Sequence, residues 1–484
     1  MNPLTIELHL HQRQTQAFQS PATEILYGGG AGGGKSHLMR MVALRFCAEI
    51  PDCQVYLFRR LSDDLVKNHL EGPSGFLALL APWIKARWVR YRGDKNVLTF
   101  WNDSKIWLSH CQYEKNLSKY QGLEIHVLLI DELTHFTEKQ YRFLRHRCRL
   151  GNLSIPAKYQ PKLPLILSGS NPGGVGHNWV KKTFIDPAPP MQCLRMPEKE
   201  GGLLRQFIPA LLEDNPTLMQ KDPSYTARLA GLGDPHLVKA MRWGDWNIVA
   251  GGALDDVWHQ RLVIPRFKIP SSWRLDRSFD WGSSDPFSVG WWAETDGTEA
   301  TLPNGDTFCP RKGSLIRLHE WYGCETTVSN VGLRLSATAI AQGIREREER
   351  LLSEGWIDQI PLPGPADNQI RDQGRENVES IEQEMAAAGV DWTHSDKTPG
   401  SRIQGLQRLR SYMKASLEAR PERPGIWFME HCQATVATLP TLPRSTRNRE
   451  DVDTQAEDHI YDEIRYRILD GQREAMSTTL QSLY

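Results

Sequence analysis

A glycine-rich segment that ends in lysine and serine has the residue types and the spacing of a phosphate-binding loop. Residues 29–36 match the pattern G-x-x-x-x-G-K-[ST], after a short strand at 24–27 and before an apolar helix at 37–47. In such a loop, backbone N–H groups and the lysine ammonium contact nucleotide phosphates, and the serine hydroxyl coordinates Mg²⁺. A flexible glycine-rich linker would not be followed by Lys-Ser and this helix. The predicted nucleotide-binding residues are Gly29, Gly30, Ala31, Gly32, Gly33, Gly34, Lys35 and Ser36.

A second apolar strand delivers two carboxylates about a hundred residues further on. Residues 127–130 are apolar, and Asp131 and Glu132 follow them directly. After a phosphate-binding loop, this arrangement predicts that Asp131 holds Mg²⁺ and that Glu132 polarises the attacking water as general base. Taken alone, such a segment is usually just a buried strand that ends in a polar turn.

Three further polar residues are candidates for the same nucleotide site. Ser170 and Asn171 end an apolar strand that begins at 163, where they are predicted to sense the γ-phosphate and couple hydrolysis to movement. An ordinary Asn-Pro turn is the alternative. Gln14 precedes the loop strand, where ATPases often use a glutamine to read the adenine edge, and a place on a surface helix is its alternative.

Arginines near the nucleotide edge leave their roles open. Arg59 and Arg60 end a strand at 54–60, and each either contacts phosphate or pairs with local carboxylates. The basic segment 140–149 contacts DNA, supplies an arginine to a neighbouring subunit, or forms a solvated helix face.

Acidic residues recur in the second half of the chain, at strand ends and near the last helix. Asp280 lies on the first of three strands whose short connections predict antiparallel pairing. Asp367 follows a predicted strand at 357–363, and Asp458 and Asp462 lie one turn apart on a predicted helix at 457–466. The elements follow the order β-β-β-α-β-α, with acids on the first strand, after the fourth strand and on the last helix. This is the order of a ribonuclease-H-like nuclease, in which carboxylates bind two divalent ions.

Further elements expected in this half are a helix at 330–354, a basic helix at 401–415 and a hairpin around Trp427. The basic helix and its surroundings offer a local DNA-binding surface, and a solvated face is the alternative. The residues of that surface are Lys397, Arg402, Arg408, Arg410 and Lys414.

Length and composition narrow the class of protein. A chain of 484 residues exceeds the size of one core, so two domains are expected. Lys plus Arg and Asp plus Glu both number 58, so the formal net charge is zero. An overall positive charge that would attract nucleic acid is therefore absent, and any DNA contact must be local. The eight cysteines form no C-x-x-C pair, which favours a reducing cytoplasm over disulfides or zinc. Neither a membrane-spanning run nor a secretory pattern occurs.

We therefore expect an α/β protein with two catalytic domains. Residues 1–250 are predicted to form a P-loop ATPase with a parallel sheet flanked by helices and a small helical lid at 207–250. Residues 251–270, which begin Gly-Gly-Ala, are predicted to be a linker, and 271–484 a ribonuclease-H-like endonuclease.

With these motifs in this order, the sequence resembles the large terminase subunit of tailed bacteriophages over nearly its whole length. The segments that carry the resemblance are 27–36, 120–122, 129–132, 170–174, 279–282, 366–367 and 458–466. The resemblance implies an ATPase that drives viral double-stranded DNA through a portal protein into a procapsid. It also implies an endonuclease, dependent on Mg²⁺ or Mn²⁺, that cuts concatemeric DNA.

The resemblance also implies residue roles and partners. Lys35 and Ser36 would bind ATP and Mg²⁺, with Asp131 and Glu132 as metal holder and base. The nuclease metals would be held by Asp280, Asp367 and an acid of the last helix, with Asp458 preferred to Asp462 and Asp285 as a further neighbour. Relatives often carry an arginine in the loop where this chain has Ala31, so the charge-stabilising arginine is unassigned. The implied partners are viral DNA, the portal protein, a small terminase subunit and further copies in a ring on the portal, in the host cytoplasm, with no membrane and outside the mature virion.

Two other functions fit the same motifs. One is a helicase-like ATPase fused to a nuclease that acts in DNA repair or recombination. The other is a DNA-binding assembly protein whose second domain lacks chemistry.

Overall fold

The computed structural model of the chain describes residues 9–231, 235–246, 252–325, 330–372, 379–418, 421–445 and 448–481. The chain divides into two compact units, Met1–Ala250 and Gly251–Tyr484. Each unit contains a large sheet and its own buried apolar clusters.

The first unit carries the elements that the phosphate-loop motif requires. Its strands are β1 (Glu24–Gly29), β2 (Gln54–Arg59), β3 (Val89–Arg92), β4 (Val97–Phe100), β5 (Lys105–His110), β6 (Val127–Asp131), β7 (Leu165–Ser170), β8 (Cys193–Arg195) and β9 (Leu204–Ala210). Its α-helices are α1 (Gln12–Gln19), α2 (Lys35–Glu49), α3 (Ser62–Leu65), α4 (Phe76–Leu79), α5 (Ala81–Lys85), α6 (Glu138–Arg145), α7 (His177–Val180), α8 (Pro216–Lys221), α9 (Tyr225–Ala230) and α10 (Pro235–Trp243).

The sheet of this unit has the strand order β3-β4-β5-β2-β6-β7-β1-β9-β8. The strands from β5 to β9 in that order are parallel, which confirms the predicted parallel sheet. Every residue of β1, β6 and β7 is buried, as expected where helices cover both faces of a parallel sheet. The carboxyl ends of these three strands lie at one edge, so the loop, Asp131 and Ser170 come together there.

The predicted helical lid begins later than expected. The lid was expected from 207, but 204–210 forms β9, which pairs with β1. Pro209 obscures this strand in the sequence, because proline cannot donate to a sheet ladder. The structure accommodates Pro209 beyond the end of β8, which pairs only with Leu204 to Gln206. The helices α8, α9 and α10 then follow.

The second unit is a mixed sheet with helices on both faces. Its strands are β10 (Val263–Ile264), β11 (Arg274–Asp280), β12 (Ser288–Glu294), β13 (Ala300–Thr301), β14 (Thr307–Phe308), β15 (Leu315–Tyr322), β16 (Pro365–Ala366), β17 (Thr393–His394) and β18 (Ile426–Met429). Its α-helices are α11 (Ala337–Ser353), α12 (Ile381–Ala387), α13 (Ser401–Leu417), α14 (Gln433–Thr438) and α15 (His459–Gln481).

The main sheet has the order β10-β18-β15-β12-β11-β16-β17. β11, β12 and β15 are antiparallel neighbours, as predicted, and β16 runs parallel to β11. Adjacent residues of β12 point to opposite faces: Trp291 donates to Glu348 on α11, whereas Trp292 donates to Glu463 on α15. This arrangement is the ribonuclease-H-like order that the sequence predicted.

Several elements of this unit differ from the sequence prediction, including the helix expected at 330–354, which is Ala337–Ser353. The strand expected at 357–363 is β16, which begins at Pro365, and Ile360 and Leu362 are exposed. The segment around Trp427 is no hairpin, because β18 pairs in parallel with β15 after the crossover helix α13. The last helix begins at His459, so Asp458 precedes it and accepts the Asp462 N–H through its backbone carbonyl.

Residues 252–270, predicted as most of the linker, belong to the folded core of the second unit. Ala253, Leu254, Val257 and Leu262 are buried in one apolar cluster with residues of α13, α15 and β18. β10 also adds a strand to the sheet. The Gly-Gly-Ala start of this segment suggested a hinge, but its apolar side chains find partners far along the chain. Gly251 lies outside the described residues.

A buried ion pair positions α15 on the sheet. The side chains of Glu463 on α15 and Arg317 on β15 are completely buried and form a salt bridge. Glu463 also accepts hydrogen bonds from Ser278 and from Trp292 Nε1, the latter at 3.0 Å. A Cβ on Gly290 would overlap the carboxylate, so glycine at this position leaves room for the pair.

We predict that Glu463→Ala destabilises the second unit by about 3–5 kcal/mol, because the buried Arg317 loses its closest carboxylate and keeps only Glu320, at 3.6 Å. Faster hydrogen exchange in β12 and β15 would report this loss. Glu349→Ala on α11 is the control: its side chain is 70% exposed, and its pair with Arg345 should contribute little. Equal exchange rates in the two variants would contradict the role assigned to the pair.

Candidate functional site

The phosphate-binding loop lies between the end of β1 and the start of α2. Gly32 and Gly34 have φ angles of +80° and +77°, a left-handed conformation that favours glycine. A Cβ on Gly34 would overlap the side-chain amide of Gln14. The loop therefore depends on glycine both for its backbone conformation and for its close contact with α1.

Main-chain carbonyls of the first unit occupy two N–H groups of this loop. The Gly30 N–H donates to the Ala210 carbonyl at 3.0 Å, and the Ala31 N–H donates to the Met241 carbonyl at 2.6 Å. Met241 lies in α10, within the predicted lid. A phosphate that used these two N–H groups would have to displace the Ala210 carbonyl of β9 and the Met241 carbonyl of α10.

Lys35 lies at the centre of the site, with only 8% of its surface exposed. Its Nζ donates to the Gly30 carbonyl at 2.8 Å and to Asn171 Oδ1 at 2.5 Å. Burial lowers the pKa of Lys35, and the nearby Glu132 and Asp131 carboxylates partly oppose that shift. The structure thus brings the predicted Lys35, Asn171 and strand-end acids into one place.

Asp131 is held by two side chains, Arg59, for which the sequence left such a role open, and His69, which the sequence did not connect with it. Its Oδ2 accepts a hydrogen bond from His69 Nε2 at 2.9 Å and lies 3.5 Å from Arg59 Nε. Burial raises the pKa of Asp131, but His69, Arg59 and Lys35 together outweigh burial and keep the carboxylate ionised. Asp131 Oδ1 is buried with no hydrogen-bond partner in the described residues, which fits a ligand to Mg²⁺.

The second acid of this pair lies at the same strand end. Glu132 has a φ angle of +57°, and its Oε1 is 4.0 Å from Arg59 Nη2. Arg59 therefore pairs with the local carboxylates, the second of the two roles considered for it. His69 comes from a π-helix at Val66–Glu71, 62 residues before Asp131, so no sequence pattern links the two.

Ser170 and Asn171 connect the loop lysine to the segment after Glu132. Ser170 Oγ accepts from the Thr134 N–H at 3.1 Å and lies 2.9 Å from Thr134 Oγ1. The same Thr134 hydroxyl donates to the Asn171 carbonyl at 3.2 Å. A hydrogen-bonded path therefore runs from Lys35 through Asn171 and Thr134 to the acidic strand end.

Gln14 is buried rather than exposed on a surface helix. Its Nε2 donates to the Gly34 carbonyl at 2.9 Å, and its Oε1 accepts from the His11 N–H at 2.8 Å. Both ends of the amide are used within the protein, so Gln14 supports the loop in this arrangement. Recognition of adenine by Gln14 stays a prediction.

The basic segment 140–149 is largely engaged inside the first unit. Arg142 pairs with Glu138 at 2.6 Å, and Arg145 pairs with the buried Glu24 at 3.0 Å. These arginines thus stabilise the unit, which leaves fewer free cations for DNA or a neighbouring subunit than the sequence suggested.

The second unit gathers the predicted acids around an open cavity of about 740 Å³. Asp280 ends β11, Asp367 follows β16, and Asp458 and Asp462 lie at the start of α15; all four line this cavity. Asp285 lines it as well. The three elements that carry these acids thus converge as the ribonuclease-H-like order predicts.

Cationic side chains lie among these acids. Arg402 binds Asp462 with two hydrogen bonds, at 2.8 and 2.9 Å, and Asp458 with one at 3.2 Å. Lys397 forms a salt bridge with Asp367. The sequence placed both cations on a DNA-binding surface. In the described parts of the chain, no group of three acids, histidines or cysteines is arranged to hold one metal ion, and metal binding requires Lys397 and Arg402 to turn away.

Burial and the close spacing of charged groups shift the pKa values of the residues that line this cavity. Burial, followed by the neighbouring Asp462, raises the pKa of Asp458 to about 7. Burial also raises the pKa of Asp280 to about 6, although its hydrogen bond with His459 opposes the shift. The pKa of His459 rises to about 9 despite burial, because Asp280 accepts its hydrogen bond at 3.2 Å. An all-oxygen set of crowded carboxylates fits hard divalent cations such as Mg²⁺ or Mn²⁺.

Residues 26–153 match the family model described as "Terminase large subunit, T4likevirus-type, N-terminal". The match contains almost all of β1, the phosphate-binding loop, His69, Asp131 and Glu132. This segment is similar to the N-terminal part of terminase large subunits. The resemblance to large terminases is thereby confirmed for this part of the chain.

Solved structures of large terminases are similar to the chain at low sequence identity. The large terminase of a thermophilic bacteriophage, in complex with ADP, is 14% identical, with 95% of this chain and 98% of that chain covered and a TM-score of 0.38. The HK97 bacteriophage large terminase is 11% identical, with 97% and 96% covered and a TM-score of 0.45. The P22 large terminase nuclease domain is 12% identical, with 46% of this chain and 95% of that chain covered and a TM-score of 0.31.

A search of curated proteins finds no match to the chain. None of the helices in the described residues combines the length and the apolar character that a membrane crossing needs.

We predict that His69→Ala weakens Mg²⁺-dependent ATP binding by about 10–100-fold, because Asp131 loses the partner that orients it. ATP binding in EDTA should change little, and His69→Gln, which can still donate a hydrogen bond, should retain more affinity. Calorimetric titrations with and without Mg²⁺ measure both effects.

His146→Ala, at an exposed position after α6, is the control for this variant. An equal loss of affinity in the presence and absence of Mg²⁺ would show that His69 supports the whole unit rather than Asp131.

Proposed function

We propose that the chain is the large terminase subunit of a tailed bacteriophage. ATP hydrolysis in the first unit drives double-stranded DNA through the portal protein into a procapsid, and a metal-dependent endonuclease in the second unit cuts concatemeric DNA. The observation that carries the proposal is the pairing, in one chain, of a family-matched phosphate loop with a cavity that gathers Asp280, Asp367, Asp458 and Asp462.

In the ATPase site, each residue has a separate task. Lys35 neutralises the phosphates, and Ser36 and Asp131 hold Mg²⁺, which when bound neutralises charge on the β- and γ-phosphate oxygens. His69 and Arg59 keep Asp131 ionised and oriented. Glu132 orients the attacking water and accepts its proton.

The residues around Asn171 couple hydrolysis to movement. Asn171 accepts from the same Lys35 ammonium that would bind the γ-phosphate, so the position of Asn171 is tied to the position of that ammonium. Thr134 and Ser170 then pass this change to the strand end that carries Glu132. Because Ala31 replaces the arginine common in relatives, another arginine must stabilise the developing charge, and Arg59 is the one nearest both acids.

In the nuclease site, Asp280, Asp367 and an acid of α15 hold two divalent ions, Mg²⁺ or Mn²⁺. When bound, these ions activate water and stabilise the leaving 3′ oxygen. The third ligand is Asp458, the residue preferred from sequence, with Asp462 as the alternative. Both line the cavity together with Asp280 and Asp367.

Lys397 and Arg402 have a second task in this scheme. When they leave Asp367 and Asp462, they become available to the phosphates of the DNA on either side of the cut. In this exchange the metal ions replace the two cations as partners of the acids, and the DNA phosphates replace the acids as partners of Lys397 and Arg402. No charge in the site is then left unpaired.

The remaining partners follow from the family. We infer contacts with the portal protein and a small terminase subunit, and a ring of copies on the portal, in the host cytoplasm and outside the mature virion. No observation specifically favours the helicase-like repair enzyme or an inert assembly protein.

We predict that Asp367→Ala abolishes plasmid cleavage in Mg²⁺ or Mn²⁺ and leaves ATP hydrolysis intact, because the two sites lie in different units. Lys35→Ala should lower ATP hydrolysis by at least about 100-fold, since the phosphates lose their main cation. Agarose gels and phosphate release from the same reactions provide the two measurements.

Exposed residues provide matched controls, Asp306→Ala for the nuclease and Lys85→Ala for the ATPase. Undiminished cutting by Asp367→Ala would remove the nuclease assignment and leave only the ATPase.

A further inference from the structure

A second cavity of the nuclease unit, of about 560 Å³, is lined by basic side chains. It lies between the end of β15, helix α11 and the turn after β18. We call it the arginine pocket, and its defining residues are Arg266, His319, Trp321, Arg347, Arg350 and His431.

Aromatic rings hold two of these guanidinium groups in place. Arg347 lies over the ring of Trp321 at 3.7 Å, and Arg266 lies over the ring of Trp356 at 3.9 Å. Stacking fixes the plane of a guanidinium. Arg347 Nη1 also donates to the Gly343 carbonyl at 2.8 Å, so its remaining N–H groups are the ones available to a phosphate. The pocket is thus preorganised for contact with an anion.

The positive charge of the pocket is only partly balanced. Arg266 lies 3.8 Å from Glu354, but within the described residues neither Arg347 nor Arg350 forms a salt bridge. The other pocket carboxylate, Glu320, is bound by the N–H groups of Ala434 and Thr435 at the start of α14.

The lowered pKa values of His319 and His431 also indicate a positive electrostatic potential in the pocket. Burial and then the charges of His431, Arg266 and Arg347 lower the pKa of His319 to about 3. Its Nδ1 is buried without a hydrogen-bond partner among the described residues. A neutral imidazole with a spare nitrogen, surrounded by arginines, suits an anion that also accepts or donates a hydrogen bond.

We propose that the arginine pocket binds a backbone phosphate of the DNA that the nuclease site cuts; this inference rests on the proposed function. Tyr322 at the end of β15 pairs with Ser288, and Ser288 pairs with Asp280. Tyr322 also lines the pocket, so the pocket and the acids share one edge of the sheet, on strands whose backbones are about 10 Å apart.

The two sites face different sides of that edge. The acids lie towards α15, whereas His319 packs against Trp291 on the α11 side. Each nucleotide of a duplex strand advances by about 3.4 Å, so a few nucleotides beyond the cut reach the pocket as the DNA passes over the edge.

The test is salt-dependent DNA binding by the full chain, measured by fluorescence anisotropy with a 30-base-pair duplex in EDTA to prevent cutting. The double variant Arg347→Gln, Arg350→Gln should bind about 5–10-fold more weakly at 0.1 M KCl for each lost contact. The slope of log K against log[KCl] should become shallower by about 0.9 per contact. Arg345→Gln is the matched control, on the same helix with a side chain 55% exposed.

Further variants guard against a folding defect. Arg350 is exposed, so Arg350→Gln alone should fold normally and show part of the effect. Arg347→Lys keeps the charge and should restore much of the salt slope. Calorimetric titration with inorganic phosphate separates a free-phosphate site from a DNA site.

The outcomes distinguish this inference from the proposed function. The pocket assignment alone would be overturned if the double variant bound DNA with the affinity and salt slope of the wild type. It would also be overturned if the pocket bound inorganic phosphate while the variants left DNA binding unchanged. A wild-type chain that does not bind DNA would overturn the proposed function and the pocket with it.

Discussion

A buried carboxylate needs cationic or hydrogen-bonding partners close to it, because it has lost its contact with water. In each unit, one buried glutamate with such partners helps to set the positions of the site residues. Glu463 joins α15 to β11, β12 and β15, and Asp462 is its neighbour in the chain. Glu24, at the start of β1, accepts from Arg205, Arg145 and Tyr141. The candidate site residues at each sheet edge are therefore positioned by ionic contacts elsewhere in the same unit.

The sequence predicted those features that depend on contiguous residues. The strand–loop–helix around Lys35 and the apolar strand before Asp131 each carry their pattern within a dozen residues, and both occur as expected. The convergence of Asp280 and Asp367 also followed, because the order of strands determines which ends meet. Local pattern and topology together were enough for the backbone of both candidate sites.

Features that depend on distant partners could not be predicted in this way. His69 and Asp131 are 62 residues apart, and Arg402 reaches Asp462 across 60. The apolar side chains of 252–270 resemble a linker until α13, α15 and β18 cover them. In each case the feature is a contact between residues that are far apart in the chain and belong to no recognisable motif. Such a contact is visible only in the folded structure.

The contact between the Ala31 N–H and the Met241 carbonyl has a consequence for how the first unit responds to load. In the proposed ATPase, a nucleotide phosphate that took the Ala31 N–H would compete with the Met241 carbonyl for this donor. The coupling would then be reciprocal: displacing α10 from the loop would tighten nucleotide binding by the same factor by which nucleotide favours the displaced helix. A short hydrogen bond can thus convert mechanical tension into a change of occupancy.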